Sequence, residues 1–148
     1  MKTYKNWMIV PSVLALVLLV LTGASAAQSS PPVIELTPGF ASDPLTFNGQ
    51  AGGSTKTKDC GNISTTPNHV INMKQDFPYL RLRLQGGGKS TLLIQEPGGD
   101  RTCISADNFS RGQIESPGYW KRGVYSIYIG DRDSTRNTYT LSITEKAN

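Results

Sequence analysis

Residues 118–144 read Gly-Tyr-Trp-Lys-Arg-Gly-Val-Tyr-Ser-Ile-Tyr-Ile-Gly, then Asp-Arg-Asp-Ser-Thr-Arg-Asn, then Thr-Tyr-Thr-Leu-Ser-Ile-Thr. These are two alternating runs joined by a polar turn segment. In a strand, successive side chains face opposite sides, so Tyr125, Ile127 and Ile129 share one face, and Tyr139, Leu141 and Ile143 share the opposing one. Ser126, Thr138, Thr140, Ser142 and Thr144 point the other way. The pattern predicts a β-hairpin with one buried face, within an antiparallel sheet packed against a second layer.

The rest of the chain repeats this grammar. Leu80, Leu82 and Leu84 alternate with Tyr79, Arg81, Arg83 and Gln85, so the leucines are expected to bury and the arginines to face water. Gly86-Gly87-Gly88-Lys89 reads as a hairpin turn into Thr91-Leu92-Leu93-Ile94-Gln95, and Pro97-Gly98-Gly99-Asp100 as the next turn before Arg101-Thr102-Cys103-Ile104. Val33 to Leu36 is expected to be an edge strand guarded by Pro31, Pro32 and Pro38. Leu45 and Phe47 point inward on an alternating run, Ala51 to Lys58 reads as an exposed loop, and His69 to Met73 begins another strand. Ser105 to Tyr119, broken by Gly112, Pro117 and Gly118, is the least regular part. No sustained helical period occurs. Roughly six to eight short strands between turn signals predict an all-β fold, an antiparallel, jelly-roll-like β-sandwich.

The first segment has a different character. Lys2 and Lys5 precede an apolar run from Ile9 to Leu21, and Ala24-Ser25-Ala26 supplies the small residues of a cleavage site. Residues 1–26 therefore read as a secretory signal peptide, the alternative being an uncleaved anchor, for which the run is short against the roughly 20 residues of a membrane span. Residues 27–32 form a Ser/Pro linker, and residues 33–148 a single β-sandwich domain in a secreted or periplasmic protein with no membrane span in the mature chain. Lys2 and Lys5 are two of 15 basic residues; the remaining 13 against 11 acidic ones leave a mature net charge of +2. Scattered charge of that size argues against nucleic acid as a partner.

Cys60 and Cys103 are the two cysteines of the chain. An even count in an exported domain reads as one disulfide, with two free thiols as the alternative. A bridge closing roughly 40 residues is worth about 4 kcal/mol in the chain-entropy account.

Residues 77–143 resemble the bacterial pre-peptidase C-terminal domain family. The likeness rests on Phe77 to Leu84 with Asp76 just before it, on Thr91 to Ile94 followed by Pro97-Gly98-Gly99, and on the closing Pro117-Gly118-Tyr119, Gly123-Val124-Tyr125-Ser126-Ile127 and Tyr139-Thr140-Leu141-Ser142-Ile143. The resemblance implies a secreted β-sandwich of the kind appended to extracellular peptidases. The family's acidic Asp-Asp-x-Asp-Tyr approach has no match here, which takes support from a calcium site carried over from related modules.

Chemistry-bearing constellations are sparse. Gly86-Gly87-Gly88-Lys89-Ser90-Thr91 ends like a phosphate loop, but Arg83 stands where the first Gly belongs and a β run follows where a helix is needed, so no nucleotide is expected. A hydrolytic triad has only His69 as base and no Gly-x-Ser-x-Gly elbow. Glu96, Asp100, Asp107 and Glu115 lie in predicted loops, where carboxylates are usually solvated. Asp131 and Asp133, with Asp107-Asn108, read as turn-stabilising residues, calcium being the weaker alternative and the sole cofactor considered. Tyr119 and Trp120 suggest an aromatic platform for a protein or glycan, with Arg81, Arg83, Lys121 and Arg122 as a basic surround.

The expectation from these residues is a non-catalytic exported binding or accessory module for an extracellular or envelope protein or glycan. Its alternatives are a small secreted hydrolase acting on peptides or glycans, and an inhibitor or accessory factor of a secreted peptidase.

Overall fold

The computed structural model describes residues 30–134 and 136–147. The expected signal peptide, residues 1–26, and its cleavage point lie outside the described residues. Eleven strands follow one another: β1 (Val33–Leu36), β2 (Leu45–Gln50), β3 (Thr55–Lys56), β4 (Asn62–Ile63), β5 (His69–Met73), β6 (Phe77–Gly86), β7 (Ser90–Gln95), β8 (Arg101–Ser105), β9 (Gln113–Trp120), β10 (Gly123–Asp131) and β11 (Thr138–Thr144). No helix occurs among the described residues, and none is long and apolar enough to cross a membrane.

The strands form two sheets, one of seven strands and one of four in the order β2-β11-β6-β9. In the larger sheet β10 is central, paired with β7 along Ser126–Asp131 on one edge, and with β5 along Gly123–Ile127 and β4 at Asp131 on the other. Pairing is antiparallel throughout except for β1 on β5, which is parallel and leaves β1 at the sheet edge. The chain is an all-β sandwich.

Alternation carries the core, as the sequence predicts. Leu80, Leu82 and Leu84 from β6, Ile127 and Ile129 from β10, and Leu141 and Ile143 from β11 are all fully buried between the sheets. Each such aliphatic side chain contributes about 1.5–3 kcal/mol by leaving water. Val70 and Asn72 alternate with the fully buried Ile71 and Met73 along β5, which completes the floor of the core.

The predicted hairpin over residues 118–144 is corrected. β10 belongs to the seven-stranded sheet and β11 to the four-stranded one, so the link between them crosses the sandwich as an arch. The same correction applies to Gly86-Gly87-Gly88-Lys89, which leads from β6 in one sheet to β7 in the other. Of the turns expected to be hairpins, Pro97 to Asp100 is one, joining β7 and β8 in register from Thr91↔Ser105 to Gln95↔Arg101.

Two segments expected to be irregular are ordered by tertiary contacts. Pro117 and Gly118 lie inside β9, an edge strand paired only with β6; an edge tolerates Pro because one side of the backbone has no ladder to complete. Ala51 is buried, and the short β3 and β4 beyond it extend the larger sheet, β4 pairing with β10 at Asp131 and β3 with β4. Cys60 and Ile63 there pack on Leu93, Cys103 and Tyr128, so that Leu93 is buried although it alternates away from the main core. Cys60 and Cys103 are joined by a disulfide that fastens this flap to β8. Gly130 is required beneath it, because a Cβ there would sit 2.5 Å from the Cys60 carbonyl oxygen.

Candidate functional site

β8 and β9 are edge strands of opposite sheets, and a small cleft opens between them. Ile94, Glu96 and Thr102 line it from one sheet and Ser116, Pro117, Tyr119 and Trp120 from the other, around a volume of about 150 Å³. Along β9 the alternation sends Trp120 inward and Tyr119 outward. The two rings therefore do not form a common platform, which corrects the expectation from sequence. Trp120 is 6% exposed; its indole Nε1 donates to the Leu80 carbonyl at 3.1 Å, and its ring meets Tyr125 edge-on at 5.0 Å. That is a core role, in which the polar atom of a buried indole finds a partner.

Tyr119 is 58% exposed and stands on the rim. Its hydroxyl donates to Asp76 Oδ2 at 2.5 Å, while Asp76 Oδ1 accepts the Arg122 amide at 2.7 Å. One carboxylate just ahead of β6 thus braces the connection from β9 to β10. The Tyr119 hydroxyl, then the Arg122 amide, hold the Asp76 carboxyl below its ordinary range, and the same contact raises the Tyr119 hydroxyl. A carboxylate that accepts donors in its charged form titrates lower for that reason.

The two arginines do not form a basic surround. Arg81 is buried, against the expectation that it faces water; its Nη1 donates to the Ala147 carbonyl at 3.1 Å, brought there by the segment beyond β11. Arg83 is tied across the β6–β9 pair to Glu115 at 2.6 Å, and Gln113 Nε2 donates to the same carboxylate oxygen at 2.9 Å. Lys121 and Arg122 sit at the Asp76 brace instead.

Asp131 and Asp133 are placed in the arch that ends β10. Asp131 is fully buried, its Oδ1 accepting the Asp133 amide at 2.7 Å and its Oδ2 the Asn137 side chain at 2.8 Å. Asp133 pairs with Lys89 at 3.0 Å. Asp107 accepts the amides of Phe109 and Ser110 at 2.9 and 2.6 Å. These carboxylates shape turns, and among the described residues no group of three or more His, Cys, Asp or Glu side chains could hold a metal ion.

His69 lies between the sheets, where Nε2 is 2.7 Å from the Tyr139 hydroxyl and its ring packs on Phe47 and Tyr139. Burial pushes the imidazole below its ordinary value and the Tyr139 hydroxyl up to about 12. Neutral forms of both are thereby favoured, which suits an inter-sheet contact.

Sequence reasoning passed over Phe109, which the structure leaves 93% exposed on the loop between β8 and β9. Its signal was present but faint: an aromatic residue between Asn108 and Ser110, in a stretch without alternation.

The fold is that of a pre-peptidase C-terminal domain. The crystal structure of that domain from Bacillus anthracis collagenase is similar with a TM-score of 0.50 at 15% identity, covering 78% of this chain and 98% of that one. A periplasmic inhibitor of g-type lysozyme from Aeromonas hydrophila is similar at a TM-score of 0.43 and 14% identity over the same shares. No family model matches the sequence. An uncharacterized protein of Synechococcus elongatus is 32% identical over 123 residues, which span 80% of this chain and 85% of that protein, and the chain belongs to the same family.

Proposed function

We propose that this protein is an exported, non-catalytic recognition module that binds another protein, as an accessory or inhibitory factor outside the cytoplasm. The carrying observation is the cleft between the edges of β8 and β9, with a volume of about 150 Å³ and Tyr119 fixed on its rim. Sites for small molecules and cofactors occupy roughly 300–1,000 Å³, whereas this cleft has room for one side chain of a partner. Such a contact needs a rigid frame, and the sandwich, the Asp76 brace and the disulfide supply it. The disulfide also supports an oxidising compartment, in keeping with residues 1–26 as the export signal.

Immobilised chain 27–148 would be exposed to envelope extract and culture fluid beside Tyr119→Ala and Thr102→Arg, the second of which fills the cleft. A specific protein retained by the parent and lost by both variants is the expected result. Equal retention by all three removes the cleft from the reading, and retention of a polysaccharide replaces a protein ligand with a glycan.

A further inference from the structure

Phe109 stands on a loop that is built rather than loose. Asp107 Oδ1 accepts the amides of Phe109 and Ser110, Ser110 Oγ donates to the Asp107 carbonyl at 3.1 Å, and the Gln113 amide donates to the Ser110 carbonyl at 3.0 Å. Its base is tied to the neighbouring arch: the Gly86 amide donates to the Gly112 carbonyl at 3.1 Å, and Gln85 Nε2 to the Arg111 carbonyl at 3.0 Å. Arg111 adopts a left-handed backbone at φ 52°, a conformation a non-glycine residue holds only where its surroundings impose it. Gly112 follows at φ 81°, and a Cβ on it would lie 2.3 Å from the Gly86 carbonyl oxygen. All of this positions a turn whose apex is a phenyl ring in water.

The cation nearest the ring in the chain is left without a counter-charge. Arg111 is exposed and forms no ion pair among the described residues. The carboxylates at this end are engaged: Asp107 with its loop amides, Asp131 within the arch, Asp133 with Lys89.

The geometry points to Phe109, with Arg111 beside it, as an anchor by which this protein inserts into an apolar, acid-rimmed pocket on a partner protein; the inference rests on the recognition reading above and adds a second surface to it. Aromatic and arginine side chains carry a disproportionate share of binding energy at protein interfaces, and an anchor already held in its bound shape loses little entropy on docking. The Arg111 cation complements an acidic group at the pocket's edge and speeds encounter. A lone ring on a tight turn suits a pocket better than a lipid surface, which takes up broad amphipathic faces.

To test this, a benzophenone amino acid would replace Phe109, or Val124 as an exposed control on β10, in the exported chain, followed by irradiation of intact cells. The protein joined at position 109 would be identified, purified and titrated with the chain 27–148, with Phe109→Ala, with Arg111→Glu and with Tyr119→Ala. Expected are one protein adduct at 109 and none at 124, about a 30-fold loss of affinity for Phe109→Ala, and a smaller loss for Arg111→Glu that shrinks as salt is raised. Unchanged thermal midpoints would show that the variants are folded. No adduct above the control, an adduct to a second copy of this chain, cosedimentation with phosphatidylglycerol vesicles in place of protein binding, or equal affinity for Phe109→Ala would each overturn the inference. Loss with Tyr119→Ala but not with Phe109→Ala leaves the recognition reading standing and removes this one; absence of any bound protein removes both.

Discussion

The two ends of β9 each present an exposed aromatic residue beside an aspartate, yet they are organised differently. At the C-terminal end Asp76 grips the Tyr119 side chain itself, so the hydroxyl is part of the brace and the ring's exposure follows from that duty. At the N-terminal end Asp107 grips only backbone and the Ser110 loop, and the Phe109 ring takes no part in holding its own loop. Exposure alone therefore says little about function. An exposed side chain that the fold uses has a structural account, whereas one that the fold supports without using has its account elsewhere.

The sharpest separation at the first end comes from neighbouring residues. Trp120→Ala should destabilise by about 3–5 kcal/mol in urea unfolding, since it empties a buried indole site, while Tyr119→Ala should shift the midpoint only slightly. Comparable losses for both would mean that the Tyr119 brace belongs to the cooperative core. Replacing Cys60 and Cys103 together with Ser should cost about 2–4 kcal/mol. Because the bridge holds β8, the strand feeding the Phe109 loop, amide exchange should accelerate around residues 103–112 and stay slow at Arg122; uniform acceleration would show that the two ends are not independent.

Apart from both ends, the contact of His69 with Tyr139 between the sheets adds a response to pH. Burial lowers the native imidazole below the unfolded value near 6.5, so unfolding takes up protons, and stability falls as pH drops through that value, then levels off below the native one. On the alkaline side Tyr139 rises from an ordinary 10.0 to about 12, so stability falls as pH climbs between the two, by on the order of 2–3 kcal/mol at the upper end. Chemical denaturation across pH would check both limbs, and Tyr139→Phe should shrink the alkaline one, leaving what the raised Tyr119 and Tyr125 hydroxyls contribute. The smallest effects belong to the aspartates. Asp76→Asn should speed exchange at the Arg122 amide alone and Asp107→Asn at Phe109 and Ser110 alone, each without moving the other end.

Much of this molecule was legible because alternation is local. Leu80, Leu82 and Leu84, Tyr125, Ile127 and Ile129, and Tyr139, Leu141 and Ile143 face the core as their spacing requires, and the disulfide is the pairing expected of two cysteines in a chain read as exported. Arg81 was misread because its partner, Ala147, lies far along the chain in a segment that carries no pattern of its own. Trp120 and Tyr119 were read as a pair because they are adjacent, although the same alternation that located the core sends neighbours to opposite faces. Phe109 went unweighed because its exposure is set by the fold and no local periodicity marks it.

By itself the sequence determined which side chains turn inward, where the chain bends and that the product is an all-β sandwich, since these depend on the two-residue repeat of a strand and on turn chemistry. Tertiary structure alone decided which sheet each strand joined. An inward-facing run looks the same in either layer, because both layers present an apolar face to one core. A six-residue link such as 132–137 can close a hairpin or cross as an arch; here long-range pairing of β10 with β5 and β7, and of β11 with β2 and β6, selected the arch.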